Sequence, residues 1–275
     1  MNEAERSEYQ TDFERDGFVI ARGLFSEQEC AAYIKHYMDL RHAGSYPGDS
    51  IGVDLGDETD PLRQYPRMIH MHRWDEMSLR WLIDPRLGQV MTACLGREPF
   101  AVQTMLYFKP AGSRGQGLHQ DQFYLKADPG TCIAAWMALD RCDEENGCLR
   151  LVPGLGELPL LCTEQADTQE SFTDVAVPLP AGVEAKPAVL NPGDVLFFHG
   201  AVIHGSLPNR STDRFRRSLI GHYVAGEAER VGGFYKPALR FDGTTVEQLE
   251  DSPGGGPCGV WVDRDGRVEV EVARD

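Results

Sequence analysis

A chain of 275 residues, 41% hydrophobic and 25% charged, can bury a sizeable core and has the composition of a globular protein rather than a disordered or membrane-embedded one. A formal net charge of −16 and a pI near 4.9 argue against a nucleic-acid partner, and the densest basic cluster, "DRFRR" at 213–217, is too short to reverse that. No basic start followed by an apolar run opens the sequence and no long apolar stretch occurs, so no membrane partner is expected and the cytoplasm is the expected compartment.

The first third reads as helical. "SEYQTDFERDG" predicts a helix ending at Gly17, "FVIARGLF" a short strand, and Ser26 with Glu29 three positions later a capping box before "CAAYIKHYMDL". Residues 43–66 are rich in Gly, Asp and Pro and predict a surface loop. "DEMSLRWLIDPRLGQVMTACLG" places Leu79, Leu82 and Ile83 before Pro85, and Leu87, Val90, Met91 and Leu95 after it, a helical stripe interrupted or restarted by Asp84-Pro85 and suited to packing on a sheet.

From residue 100 the pattern changes to short strands. "PFAVQTMLYFKP", "TCIAAWMALD", "CLRLVPG", "AKPAVLNPGDVLFFHG" and "FRRSLIGHYV" are separated by turn residues, with Asn146-Gly147 and Pro192-Gly193-Asp194 the strongest signals. In the tail, Gly254 to Gly256 read as a flexible or tightly turning element. "GVWVD" and "RVEVEV" then alternate around "DRDG", a terminal β-hairpin suited to covering a sheet edge, closing over the site or pairing with another subunit. The whole predicts one α+β domain: helices over about 1–98, a sandwich or jelly-roll core over about 99–226, and an extension with the hairpin over about 227–275. Seven cysteines, an odd number without a CxxC pair, predict neither a disulfide framework nor a zinc knuckle, and most are expected to be small buried hydrophobes.

The chemistry concentrates in "GLHQDQFYL", residues 117–125. In an extended segment His119 and Asp121 point to one side and Gln120 to the other, so an imidazole and a carboxylate can meet at one point. A third ligand has to come from elsewhere among eight histidines. His36 and His42 lie in or after a helix and read as surface residues; His70 and His72 form a pair of their own, suited to a structural or substrate-side role. His199 and His204 both remain candidates, because alternation through Gly200 does not choose between them. Two histidines and one carboxylate leave three metal positions open, as in non-haem iron(II) oxygenases, although such a set can also hold zinc.

Three segments, "TMLYFKPAGSRGQGLHQDQFYL", "AAWMALDRCDEENGCLRLVPG" and "LNPGDVLFFHGAVIHGSLPNRSTDRFRRSLIGHYV", resemble in order the phytanoyl-CoA dioxygenase family of Fe(II)/2-oxoglutarate-dependent oxygenases, and "DFERDGFVIARGLFSEQEC" resembles its opening. The resemblance implies a double-stranded β-helix, the cupin-like jelly roll, buttressed by N-terminal helices. It implies iron(II) held by His119, Asp121 and His204, and 2-oxoglutarate and dioxygen as cosubstrates. Arg216 would pair with the distal carboxylate of 2-oxoglutarate, with Ser206, Trp136 and Met105 beside it; an arginine fork suits a buried carboxylate. The implied reaction hydroxylates an unactivated C–H bond of a small molecule and releases succinate and carbon dioxide. Asp121 stands where related halogenases have a small residue, which disfavours halogenation and leaves desaturation, epoxidation or ring formation as variants.

After "LRLVPG" many relatives continue with Ser or Thr and then His, whereas Leu155-Gly156-Glu157 stands here, so the adjoining loop and its substrate contacts are not carried over. Gln103, Tyr107, Gln122, Tyr124, Arg67, His70 and His72 are the candidate substrate residues, with Arg73, Phe234 and Tyr235 beyond them. They suggest a small substrate with an anionic group, and without an extended basic surface an acyl-CoA is not carried over. The rival class is a jelly-roll protein that binds a metal or organic acid without turnover.

Overall fold

The computed structural model describes residues 1–44, 46–47, 59–154, 158–253, 257–265 and 267–272. Half of the expected 43–66 loop, the Leu155-Gly156-Glu157 departure and the 254–256 glycine run lie outside the described residues.

The helical third follows from its caps. Helix Glu3–Asp16 starts at Asn2 and stops at Gly17, whose φ of 78° is left-handed; helix Glu27–Ala43 starts at the Ser26–Glu29 capping box. Helices Glu76–Leu82 and Pro85–Leu95 are separate because Asp84 caps the second and Pro85 occupies its first turn, where its missing N–H costs nothing. One difference from the sequence reading is a short helix, Pro61–Gln64, capped by Asp60 inside the segment expected to be loop.

An eight-stranded sheet runs in the order Phe18–Ala21, Val195–His199, Cys132–Ala138, Ser218–Val224, Phe100–Tyr107, Ala238–Leu239, Thr245–Val246, with Met68–Ile69 also pairing with Phe100–Tyr107. A four-stranded sheet runs Gln116–His119, His204–Ser206, Leu149–Leu151, Lys186–Pro187, and the pairings in both sheets are antiparallel. The large sheet thus takes two strands from each flanking region, Phe18–Ala21 and Met68–Ile69 from the first and Ala238–Leu239 and Thr245–Val246 from the second.

Alternation sorts the two faces of the large sheet. Ile133, Ala135 and Met137 pack with Leu82, Leu87 and Met91 of the helices, while Ala134, Trp136 and Ala138 pack towards Leu149 and Leu151 of the small sheet. Burial on both sides explains why "TCIAAWMALD" reads as a continuous apolar run. The Asn146-Gly147 turn does join two strands, but they lie in different sheets, so it is a crossover and not a hairpin. Gly147 carries the positive φ, 75°, while Asn146 works through its side chain, accepting from Asp143 N and donating to Arg141 O and Phe215 O.

The terminal hairpin forms as Gly259–Arg264 against Arg267–Val272. Trp261 and Val270 pack on Val152, Leu161, Val177 and Ile203, and Trp261 Nε1 donates to Pro178 O, so the hairpin lies beside the small sheet away from its inner face. Cys162 and Cys258 form a disulfide at its base, a pairing that the absence of a disulfide framework in the sequence did not lead us to expect; the other five are buried and free, as expected of most of them. The partners are 96 residues apart, a separation from which sequence spacing predicts no pairing. No helix among the described residues is long and apolar enough to cross a membrane.

Candidate metal centre and its cavity

A cavity of about 340 Å³ opens between the inner faces of the two sheets. His119 ends the strand Gln116–His119 and stands opposite His204 in the antiparallel register, with the ring centroids 4.2 Å apart. Asp121 reaches the same point by a route that differs from strand alternation. The strand stops at His119, and Asp121, at φ −63° and ψ −31°, begins the short helix Gln122–Leu125. Gln120 fixes this turn from the opposite side, donating to Ala201 O and Pro159 O and accepting from Leu161 N.

The donor atoms converge. Asp121 Oδ1 lies 3.4 Å from His119 Nε2 and 3.6 Å from His204 Nε2, and the three residues form the only cluster among the described residues able to offer three such ligand atoms within 4.8 Å of one another. His119 Nδ1 faces Gly117 O and His204 Nδ1 faces Val202 O; carbonyls only accept, so both Nδ1 atoms carry a proton and Nε2 is the ring atom each histidine turns to the centre. Burial holds the His204 imidazole down to about 4, hence neutral. Burial alone would raise the Asp121 carboxyl, but His204, His222 and His119 around it hold it well below the carboxylate range. Two imidazoles and an ionised carboxylate fit a divalent cation with open positions. His199 is directed elsewhere: its ring faces Phe13 and its Nδ1 accepts from Ala201 N.

The same cavity is lined by a buried cation. Arg216 donates through Nε to Gly147 O and through a terminal nitrogen to Ser218 Oγ, and its guanidinium lies 5.2 Å from the centroid of the Trp136 ring. Met105, Trp136 and Ser206 line the wall beside it, as do Gln103, Tyr107, Tyr124, Arg67, Phe234 and Tyr235 elsewhere. In a chain of net charge −16, Asp121 is the one carboxylate among the described lining residues, against three arginines, Arg67, Arg114 and Arg216, and the lysine Lys109.

Three candidate substrate residues do not line this cavity, and neither does Arg73. Gln122 bonds Ala127 O and Cys132 N from the short helix that follows Asp121. The His72 ring bonds Thr104 Oγ1; His70, at φ 55°, packs its ring on Phe234; Arg73 donates to Phe234 O and Lys236 O. His36, read as a surface residue, is half-buried against Asp75.

His222 and Lys109 are among the wall residues not singled out from the sequence. His222 Nε2 lies 3.2 Å from Asp121 Oδ2, the carboxylate oxygen directed away from the two histidines, and Lys109 is buried beside Arg216. A signal existed for both: His222 shares the parity of Arg216, Ser218 and Ile220, and Lys109 that of Gln103, Met105 and Tyr107.

Residues 13–218 match the family described as phytanoyl-CoA dioxygenase (PhyH). A probable phytanoyl-CoA dioxygenase of Caenorhabditis elegans is 31% identical over 255 residues, covering 87% of this chain and 79% of its own. A 2-aminoethylphosphonate dioxygenase of uncultured bacterium HF130_AEPn_1 is 30% identical over 251 residues, covering 88% and 91%. Among solved structures, the epimerase SnoN in complex with Fe3+, alpha ketoglutarate and nogalamycin RO superposes with a TM-score of 0.65 at 20% identity, covering 98% of this chain and 99% of that one. The alpha ketoglutarate dependent carbocyclase SnoK from nogalamycin biosynthesis superposes at 0.66 and 19%, covering 81% and 85%, a likeness of fold.

Proposed function

This chain belongs to the phytanoyl-CoA dioxygenase family and is a 2-oxoglutarate-dependent oxygenase working with iron(II) and dioxygen, and from that premise we propose that it hydroxylates an unactivated C–H bond of a small metabolite. The observation that carries this reading is one cavity lined by both the His119, Asp121 and His204 donor set and the buried Arg216. We read the two sheets as a double-stranded β-helix and residues 1–275 as one catalytic domain, and we place it in the cytoplasm.

In this reading His119 Nε2, His204 Nε2 and Asp121 Oδ1 hold the iron. Arg216 and Ser206 receive the distal carboxylate of 2-oxoglutarate, and Trp136 and Met105 flank it. Iron, 2-oxoglutarate and dioxygen supply the oxidation: R–H becomes R–OH while 2-oxoglutarate becomes succinate and carbon dioxide. The chain binds, orients and excludes water. Phe198, Ile220 and Leu149 give the cavity an apolar lining, and the charge of Arg216 offsets the single excess negative charge left by iron(II), one aspartate and a dianion.

A cavity of about 340 Å³ suits a cosubstrate and a small substrate rather than an acyl-CoA. Gln103, Tyr107, Tyr124 and Arg67 offer polar contacts to a substrate with an anionic group. The names of the epimerase and the carbocyclase record other outcomes on this fold, and desaturation, epoxidation or cyclisation would use the same residues here.

Anaerobic addition of Fe(II) and 2-oxoglutarate should produce a weak visible charge-transfer band, and air should then produce succinate. Asp121→Ala should abolish both. A parent protein showing neither signal would overturn the reading, and screening metabolites for stimulated succinate release would identify the substrate.

A further inference from the structure

Lys109 presents a hydrogen-bond problem with two solutions. It is buried, and its Nζ has three neighbours: Leu207 O at 2.5 Å, Ser206 Oγ at 2.9 Å and Gly147 O at 3.2 Å. The two carbonyls can only accept. The Ser206 hydroxyl has one proton to give and two lone pairs, and one lone pair accepts from Gln116 N at 3.2 Å.

An ammonium at Lys109 gives a proton to each neighbour. Ser206 Oγ then accepts twice, and its own proton is left for the cavity. A neutral amine gives its two protons to the carbonyls, and its lone pair takes the Ser206 proton. We infer that Lys109 is a positioning residue whose protonation decides whether the Ser206 hydroxyl donates to the cosubstrate, so that binding of 2-oxoglutarate takes up a proton from solvent onto Nζ. The step moves only protons, and it rests on the proposed placement of the distal carboxylate at Arg216 and Ser206.

The surroundings permit both states. The cations facing Lys109 are Arg216 and Arg150, and the other titratable groups are the Cys142 and Cys148 thiols; no carboxylate among the described residues hydrogen-bonds it. Burial, reinforced by Arg216, pushes Lys109 well below the lysine range, so the amine is not confined to strongly alkaline solution. Burial lifts the Cys142 thiol to about 12, so it stays neutral and does not compensate the charge. An arriving carboxylate favours the ammonium, and reciprocity requires its affinity to fall as pH rises.

The test is anaerobic calorimetric titration of 2-oxoglutarate into the Fe(II)-loaded protein, from mildly acid to alkaline pH, in buffers of different ionisation enthalpy. The parent should take up as much as about one proton and bind more weakly at the alkaline end. Ser206→Ala should cost about tenfold in affinity at the acid end and less than about twofold at the alkaline end, where the hydroxyl proton is already committed to the amine. Lys109→Met should bind with no proton uptake and a flat pH profile. A Ser206→Ala loss equal at both ends, or Lys109→Met uptake matching the parent, would overturn the inference. Arg216→Gln separates the premise: its loss of binding keeps the placement, so failure elsewhere counts against Lys109 alone, whereas undiminished binding removes the placement and the inference together.

Discussion

Removing His222 tests whether the carboxylate of Asp121 has separate tasks for its two oxygens. Oδ1 faces His119 and His204, while Oδ2 receives the Nε2–H of His222 at 3.2 Å in a fully enclosed position. His222→Ala leaves Oδ2 without that donor. A hydrogen bond to a charged group contributes about 1.5–3 kcal/mol, which converts to roughly 10- to 150-fold. The usual loss of metal affinity when a ligand's outer partner is removed, about 10- to 100-fold, falls in the same range. The assay is competition of Fe(II) or Co(II) between the protein and a chelator, without cosubstrate or substrate, so that any substrate contact of His222 is silent. Circular dichroism checks the fold, and His222→Gln, which keeps a donor, should recover part of the loss. Metal affinity of a folded His222→Ala within about twofold of the parent would refute the two-oxygen reading.

Acid should destabilise the metal-free protein in a defined window. His72, His199 and His204 are held down to about 4 and His70 to about 3 by burial, so the unfolded chain binds more protons below its ordinary 6.5. This contribution is fully present above about pH 6.5 and is lost towards pH 4, at up to about 1.4 kcal/mol per pH unit for each histidine; a urea midpoint flat across that window would contradict it. Cys258→Ser should lower unfolding stability by about 2–4 kcal/mol, read as a lower denaturant midpoint, and the parent should show the same change in reductant. At Gly147 an added Cβ would sit 2.5 Å from Leu207 O and 2.9 Å from the Lys109 Cε, at a φ of 75°. Gly147→Ala should therefore cost about 2–4 kcal/mol, visible as a lower melting temperature, and should weaken 2-oxoglutarate binding.

Parts governed by local rules were readable in the chain. Gly17, Ser26 with Glu29, and Asp84-Pro85 set helix ends through groups within a few residues. Alternation also brought Asp121 to the side of His119, but for a reason the backbone does not follow, because the strand stops at His119 and a short helix begins. His222 and Lys109 had the right parity, yet their significance depends on Asp121 and Ser206, which are about a hundred residues away. The crossover at Asn146-Gly147 and the Cys162–Cys258 bond likewise depend on which segments meet in space.

The bond between Cys162 and Cys258 turns that stretch of backbone into a covalent ring, and the ring contains His204, Ser206, Arg216 and His222. His119, Asp121, Lys109 and Trp136 belong to the open chain before it. The centre is thus assembled from a closed loop and a free-running segment. A single peptide-bond cleavage inside the ring would leave every fragment attached, running as one band until a reductant is added. A cleavage between Trp136 and Cys162 would release the two halves of the centre as separate polypeptides, held together only by the packing of the sheets.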